Sequence, residues 1–77
     1  MNSKDAKKQE AQENIIMLAK LAEHGKQWRG RYWLIKLNKA KREAVSMGVS
    51  KQTAMNWEEA GREIYKVMGL EGGFNVQ

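Results

Sequence analysis

The chain lacks the residue types on which most metal and disulfide chemistry depends. It has no cysteine and a single histidine, His24, among 77 residues. Without cysteine there are no disulfides, no thiolate nucleophile and no cysteine-ligated zinc, and one histidine cannot build a multi-histidine metal site. We therefore expect no metal and no cofactor.

Proline and long apolar runs are also absent. No run approaches the roughly 20 apolar residues that span a bilayer, and residues 1–13 are polar where a signal peptide would be apolar. These absences predict a cytoplasmic protein with no membrane contact. Because the chain is short, we expect one domain without a large internal active site. With no proline, the spacing of the glycines indicates helices separated by short turns, which favours an all-α fold.

Positive charge is concentrated in one part of the chain. Residues 1–25 carry four cations and four acids, residues 26–42 carry seven cations and no acid, and residues 43–77 carry three cations and five acids, which together give +5. The basic stretch is interleaved with Trp28, Tyr32 and Trp33, a composition typical of surfaces that bind polyanions. A solvated helix face has the same composition, so charge alone leaves both interpretations open.

Hydrophobic periodicity predicts three helices in a single domain over residues 1–77. The first runs from Ser3 to about Gly25, the second from about Arg31 to Met47, and the third from Ser50 to about Met68. Residues 1–10 are expected to fray and residues 69–77 to form a flexible tail. The predicted core residues recur at helical spacing: Ala11, Ile15, Leu18 and Ala22 in the first helix, Trp33, Leu37, Ala40, Ala44 and Met47 in the second, and Ala54, Trp57, Ala60, Ile64 and Val67 in the third.

Two glycines carry specific expectations. Gly48 follows the second helix and suits a left-handed C-terminal cap. Gly61 lies inside the third helix, where glycine costs roughly 1 kcal/mol relative to alanine. It permits close approach of another helix or marks a bend, and the sequence leaves both open.

The segment from Ala40 to Glu59 resembles the helix-turn-helix of small bacterial and phage transcriptional regulators. In such units a small residue sits where two helices cross, an apolar residue precedes a turn glycine, and Val-Ser leads into the next helix. Glu43 and Ala54 depart from the pattern, which usually has apolar and branched aliphatic residues at those places. The matching positions are the motif core residues Ala44, Met47, Gly48, Val49 and Trp57, together with Ser50.

The resemblance implies that the second and third helices form a helix-turn-helix whose third helix enters the major groove of DNA. Gln52 and Asn56 can each pair with adenine, Lys51 can donate to guanine, and Glu59 can accept from cytosine. The base contacts would be Lys51, Gln52, Met55, Asn56 and Glu59. The phosphate contacts would come from Lys26, Arg29, Arg31, Lys36, Lys39, Lys41 and Arg42.

No catalytic constellation is present. The acids of the third helix lie at helical spacing from Arg62 and Lys66, which indicates surface ion pairs rather than paired catalytic carboxylates. We expect no enzymatic activity.

The leading hypothesis is a phage-like, sequence-specific DNA-binding protein that acts in transcription regulation or as a DNA-packaging or recombination accessory. One unit reads few base pairs, so a homodimer is expected, with the first helix and the Phe74 tail as apolar candidates for its interface. Two alternatives remain. One is a helical protein-protein interaction module that inhibits or adapts a host enzyme or assembly. The other is RNA binding through the basic-aromatic segment, whose aromatic rings would stack on bases.

Overall fold

The computed structural model describes residues 3–27 and 30–71 of the chain. Helix α1 spans Ser3–His24, α2 spans Gly30–Ser46 and α3 spans Lys51–Met68, with short 3₁₀ turns at Gly25–Gln27 and Gly69–Glu71. The predicted all-α, three-helix fold is confirmed, and the predicted helix limits are met to within one or two residues. The expected fraying of residues 1–10 stays a prediction, and most of the expected tail lies outside the described residues.

Helix α1 forms a wall shared by the other two helices. It packs extensively against both α2 and α3, whereas α2 and α3 contact each other far less. Ile15 of α1 and Leu37 of α2 are fully buried at the centre of this arrangement. The remaining members of the core cluster are Leu18, Ala19, Ala22, Ala40, Ala44, Val49 and Ala54, against which Ala11, Leu21, Trp33 and Trp57 pack. The predicted core stripe of α1 is therefore confirmed, and that of α2 is confirmed from Trp33 to Ala44. Met47, the last predicted member, lies beyond the end of α2 and is only half-buried.

Gly61 is a point of close approach between α1 and α3. A Cβ added to Gly61 would lie 2.5 Å from the carbonyl oxygen of Ile16 and 2.7 Å from the Cβ of Ala19. Both distances are far below van der Waals contact, so only a residue without a side chain allows this packing. Of the two roles left open by the sequence, close approach is the one that the structure supports.

The predicted core stripe of α3 is wrong at two positions. Ala60 is exposed and Val67 is 80% exposed, although Ala54 is buried. Helix α3 turns Gly61 toward α1 and brings the helix axes together there, which rotates its outer apolar residues away from the core. Trp57 and Ile64 are consequently only half-buried.

The turn between α2 and α3 follows the predicted pattern. Gly48 has φ +102°, and the Val49 N–H donates to the carbonyl of Ala44 at 3.0 Å while the Gly48 N–H donates to that of Val45 at 3.0 Å. These two bonds form a Schellman motif. Ser50 then caps α3, because its Oγ accepts from the Thr53 N–H at 3.0 Å. Four residues, 47–50, therefore end one helix and start the next.

Polar contacts hold the end of α3 against α1. Lys20 is buried, and its Nζ donates to the Leu70 carbonyl at 3.4 Å. His24 Nδ1 lies 3.0 Å from the Tyr65 hydroxyl, and the two rings meet edge to face.

Within the described ranges, no helix is both long and apolar enough to cross a membrane.

Candidate nucleic-acid interface

The N-terminal half of α3 presents one continuous polar face to solvent. Its five residues predicted to contact bases are all exposed, and they occupy about two turns of the helix. Gln52 Nε2 donates to Asn56 Oδ1 at 3.0 Å, so the two amides one turn apart are coupled. We call these five residues the reading face: Lys51, Gln52, Met55, Asn56 and Glu59. Met55 is its apolar member and is 56% exposed.

The reading face is fixed by the residues beneath it. Ala44 and Val49 are buried, and Trp57 packs on the core cluster from the other side of α3. Met47 is half-buried, and Gly48 holds the positive φ that the turn requires. The motif core residues therefore anchor both ends of the turn, which gives α3 a defined orientation.

A groove of about 390 Å³ runs between α2 and the reading face. Val45, Ala54 and Met55 contribute apolar surface to it. Lys41 and Arg42 of α2 and Lys51 of α3 add three cations, and Asn38 completes the lining. The groove thus connects the basic outer side of α2 with the start of α3.

The seven predicted phosphate-binding residues fall into three groups. Arg31, Lys36, Lys39 and Arg42 are exposed on α2, and no carboxylate within the described residues forms an ion pair with any of them. Lys36 lies over the ring of Tyr32, 5.2 Å from its centroid. Lys26 and Lys41 are ion-paired with carboxylates, and Arg29 lies outside the described residues.

Lys41 belongs to a chain of alternating charges that links all three helices. Its Nζ lies 2.6 Å from Glu58 Oε1, and the other oxygen of Glu58 accepts from Arg62 Nη2 at 2.6 Å. Arg62 Nη1 donates to Glu23 Oε1 at 2.6 Å, and Lys26 Nζ donates to the second Glu23 oxygen at 3.1 Å. We call these five residues the ionic chain. Its three cations and two carboxylates carry a net charge of +1.

The ionic chain changes the titration of its members. Burial by itself raises the pKa of Glu23 and of Glu58, but hydrogen bonds from Arg62 and from a lysine outweigh it, so both pKa values are below the ordinary one. Burial likewise lowers the pKa of Arg62, yet the hydrogen bonds that it donates to the two carboxylates raise it overall. All three groups are therefore held in their charged forms at neutral pH.

The basic-aromatic segment is divided by the fold. Tyr32 and Trp33 meet edge to face with ring centroids 4.9 Å apart, but Trp33 packs against the core whereas Tyr32 is 51% exposed. Trp28 and Arg29, which the RNA hypothesis also uses, lie outside the described residues. Tyr32 is the ring of this segment that lies exposed within the described ranges.

Sequence reasoning missed two parts of the interface. Asn38 and Val45 line the groove at i and i+7 of α2, a spacing that could have identified a second face beside the core stripe. The pairing of Lys41 with Glu58 spans 17 residues along the chain, and no local pattern predicts it. The pairs Glu58–Arg62 and Glu63–Lys66, by contrast, agree with the predicted ion pairs at helical spacing.

Comparison with known proteins leaves the site to be interpreted from its own geometry. No protein-family model matches the chain, and comparisons with curated proteins and with solved structures found no match. Among the residues that the structure describes, no group of three or more histidine or acidic side chains is arranged to hold a metal ion.

Proposed function

We propose that this protein binds duplex DNA and reads its sequence with the N-terminal half of α3. The observation that carries the proposal is the exposed reading face, in which four hydrogen-bonding side chains and one apolar side chain lie within about two turns at the start of a helix. An α-helix fits the major groove, where each base pair presents a distinct pattern of donors, acceptors and methyl groups. A helix start held by a tight turn is the usual place for such readers.

The coupled amides suggest which base they read. Because Gln52 Nε2 donates to Asn56 Oδ1, the acceptor Oε1 of Gln52 and the donor Nδ2 of Asn56 are the amide atoms left to bind a base. Adenine offers a complementary N6 donor and N7 acceptor in the major groove. Met55 lies beside the amides and can contact the methyl group of a thymine. An A·T-rich step is therefore the expected target of this part of the face.

The exposed cations of α2 supply the second requirement of DNA binding. Arg42 shares the groove with Lys51, so a phosphate beside the reading face can meet charge from both helices. Arg31, Lys36 and Lys39 extend the positive surface along α2. Lys41 and Arg62 balance the negative charge of Glu58, which would otherwise repel a phosphate near the reading face. A DNA-binding domain of this kind would serve transcription regulation or DNA packaging or recombination, as in phage-like proteins.

The test is selection from random duplex DNA, followed by sequencing, at two salt concentrations. We expect an enriched motif for the natural sequence, and its loss when Gln52→Ala and Asn56→Ala are combined. Loss of the bidentate contact that the two amides make with adenine should reduce discrimination at that base pair by about 1–3 kcal/mol, or roughly 5- to 150-fold. Replacing Arg42 by alanine is expected to weaken binding to all sequences and to reduce the salt dependence by about one phosphate contact.

Gln12→Ala is the matched control, because Gln12 is an exposed amide on α1, outside the reading face. This variant should select the same motif as the natural sequence. Binding without enrichment, or enrichment that survives the double variant, would contradict the proposal.

A protein partner is the second candidate, and one observation favours it. Tyr32, Leu34 and Ile35 are 51%, 41% and 64% exposed, and they lie on the first turns of α2 between Arg31 and Lys36. Exposed apolar residues among cations suit an acidic protein surface with an apolar centre. Substituting Ile35 by glutamate would weaken such a complex and leave DNA selection unchanged, which separates the two functions.

A further inference from the structure

Helix α3 carries an apolar seam that the three-helix core covers only in part. Its members are Trp57, Ala60, Ile64 and Val67, spaced three, four and three residues apart. This is the spacing at which one helix contacts another along its length. Trp57 and Ile64 are half-buried, Ala60 is exposed and Val67 is 80% exposed. No seam position carries a charge.

We infer that this seam is the contact surface for a second copy of the same chain, with the two α3 helices antiparallel about a two-fold axis near Ile64. A two-fold contact requires a surface that is complementary to itself. With the axis at Ile64, that residue meets its own copy, and the small Ala60 of each chain meets the larger Val67 of the other. On each side of the axis a small residue then packs against a larger one.

The charges beside the seam agree with this arrangement. Glu63 and Lys66 form an ion pair of 3.5 Å on the exposed side of α3. The two-fold axis brings Lys66 of one copy within reach of Glu63 of the other, so the two ion pairs form an alternating group of four charges. An isologous contact therefore adds opposite charges at its edge.

The relation of the seam to the reading face also favours a second copy, and this step rests on the proposed function. At 100° per residue, the reading face lies roughly a third of a turn around α3 from the seam. An antiparallel pair has its two-fold axis perpendicular to both helices, so the two reading faces point to the same side of the dimer. A DNA duplex can then contact both.

The spacing is also suitable. The middle of the reading face, Met55, precedes Ile64 by nine residues, or about 14 Å along the helix at 1.5 Å per residue. The two-fold axis doubles this to about 27 Å, and helix axes about 9 Å apart bring the separation to about 29 Å. One turn of B-DNA is about 34 Å, the usual distance between half-sites.

The test measures association of the full chain by sedimentation equilibrium in the absence of DNA. We expect a dimer for the natural sequence and at least about tenfold weaker association for Val67→Glu, because the pairing would bury an uncompensated carboxylate. Ile35→Glu is the matched control, since Ile35 is exposed on α2 away from the seam; its association should equal that of the natural sequence. A monomer throughout the concentration range, or a Val67→Glu chain that associates normally, would overturn the inference.

The orientation has its own test, because the chain contains no cysteine that would interfere. A mixture of Ala60→Cys and Val67→Cys chains should oxidise to a disulfide between the two variants. Each variant alone should link far more slowly. Rapid linking of each variant to itself would indicate parallel helices and overturn the antiparallel arrangement. A Val67→Cys, Phe74→Cys double variant tests the other occupant. If it forms an intrachain disulfide and stays monomeric, residues 72–77 cover the seam in place of a second copy, and the inference is overturned. Because neither test uses DNA, failure of the dimer and failure of DNA binding are distinguishable.

Discussion

Replacing Gly61 by alanine sets helix propensity against packing, and the structure predicts which effect is larger. Alanine would favour helix α3 by up to about 1 kcal/mol. Its Cβ, however, would lie 2.5 Å from the Ile16 carbonyl oxygen and 2.7 Å from the Ala19 Cβ. Ordinary contacts between such atoms are about 3.5–4.0 Å, so α1 must move away by roughly 1 Å.

Overpacking of this kind costs about 1–3 kcal/mol in a close-packed core. Because the clash is with backbone atoms of Ile16, its cost lies in the upper part of this range. After up to about 1 kcal/mol of helix propensity is subtracted, we expect Gly61→Ala to reduce the free energy of unfolding by roughly 1–2 kcal/mol. For a domain of this size, that reduction corresponds to a fall in Tm of roughly 5–15 °C. The clash involves backbone of α1 rather than the end of a flexible side chain, so a local rotamer change cannot relieve it.

The assay is urea unfolding followed by circular dichroism at 222 nm, with all variants at one protein concentration because association would also contribute to stability. The urea midpoint should fall while the m-value is unchanged. Glu59→Ala serves as the control, since Glu59 is exposed on the same helix and its removal should change stability by less than about 0.5 kcal/mol. A Gly61→Ala chain as stable as the natural one, or more stable, would refute the close approach of α1 and α3.

Three further predictions concern the ionic chain and the turn. Because the pKa values of Glu23 and Glu58 are lowered in the folded protein, the two carboxylates stabilise the fold above about pH 4.5, and this contribution is lost as pH falls below it. Urea midpoints should therefore fall steeply between about pH 5 and pH 3. The fall should be less steep in a double variant with both residues changed to glutamine. Ser50→Ala removes the cap of α3 and should cost about 1 kcal/mol in the same unfolding assay, whereas Ser50→Asp should retain most of the stability. Gly48→Ala should lower the free energy of unfolding by about 1–2 kcal/mol, and the cause is the positive φ of +102° alone, since the added Cβ would meet no atom within 4 Å. Gly48→Asn should lose less stability in the same assay, and equal losses would contradict this explanation.

The sequence was sufficient for α2 and the turn because their signals are local. The stripe from Trp33 to Met47 repeats at helical spacing, and Gly48 and Ser50 are the residue types that end and begin helices. For α3 the apolar pattern was present, but it indicated a face displaced around the helix from the buried one, so that Ala60 and Val67 are exposed. Periodicity counts apolar side chains, whereas the residue that meets α1 most closely is Gly61, which has none.

The candidate site was predictable to a similar degree. Exposure of the reading face follows from its position opposite Ala54 on a single helix. The assignment of Lys41 to a phosphate could not be judged from the sequence, because its partner Glu58 comes from another helix. The burial of Lys20 beside the carbonyl of Leu70 depends on how the chain continues after α3, which no short-range pattern encodes.

The role of α1 as a shared wall limits how this domain can be divided. The buried sides of α2 and α3 face α1 more than they face each other, so a peptide containing those two helices alone would expose Leu37, Ala40 and Ala44 to water. The turn and the reading face are therefore not a portable module. Grafting them onto another protein would require a substitute for α1 that offers the same narrow contact to Gly61, and any shortening of α1 within residues 15–22 would affect the orientation of both other helices.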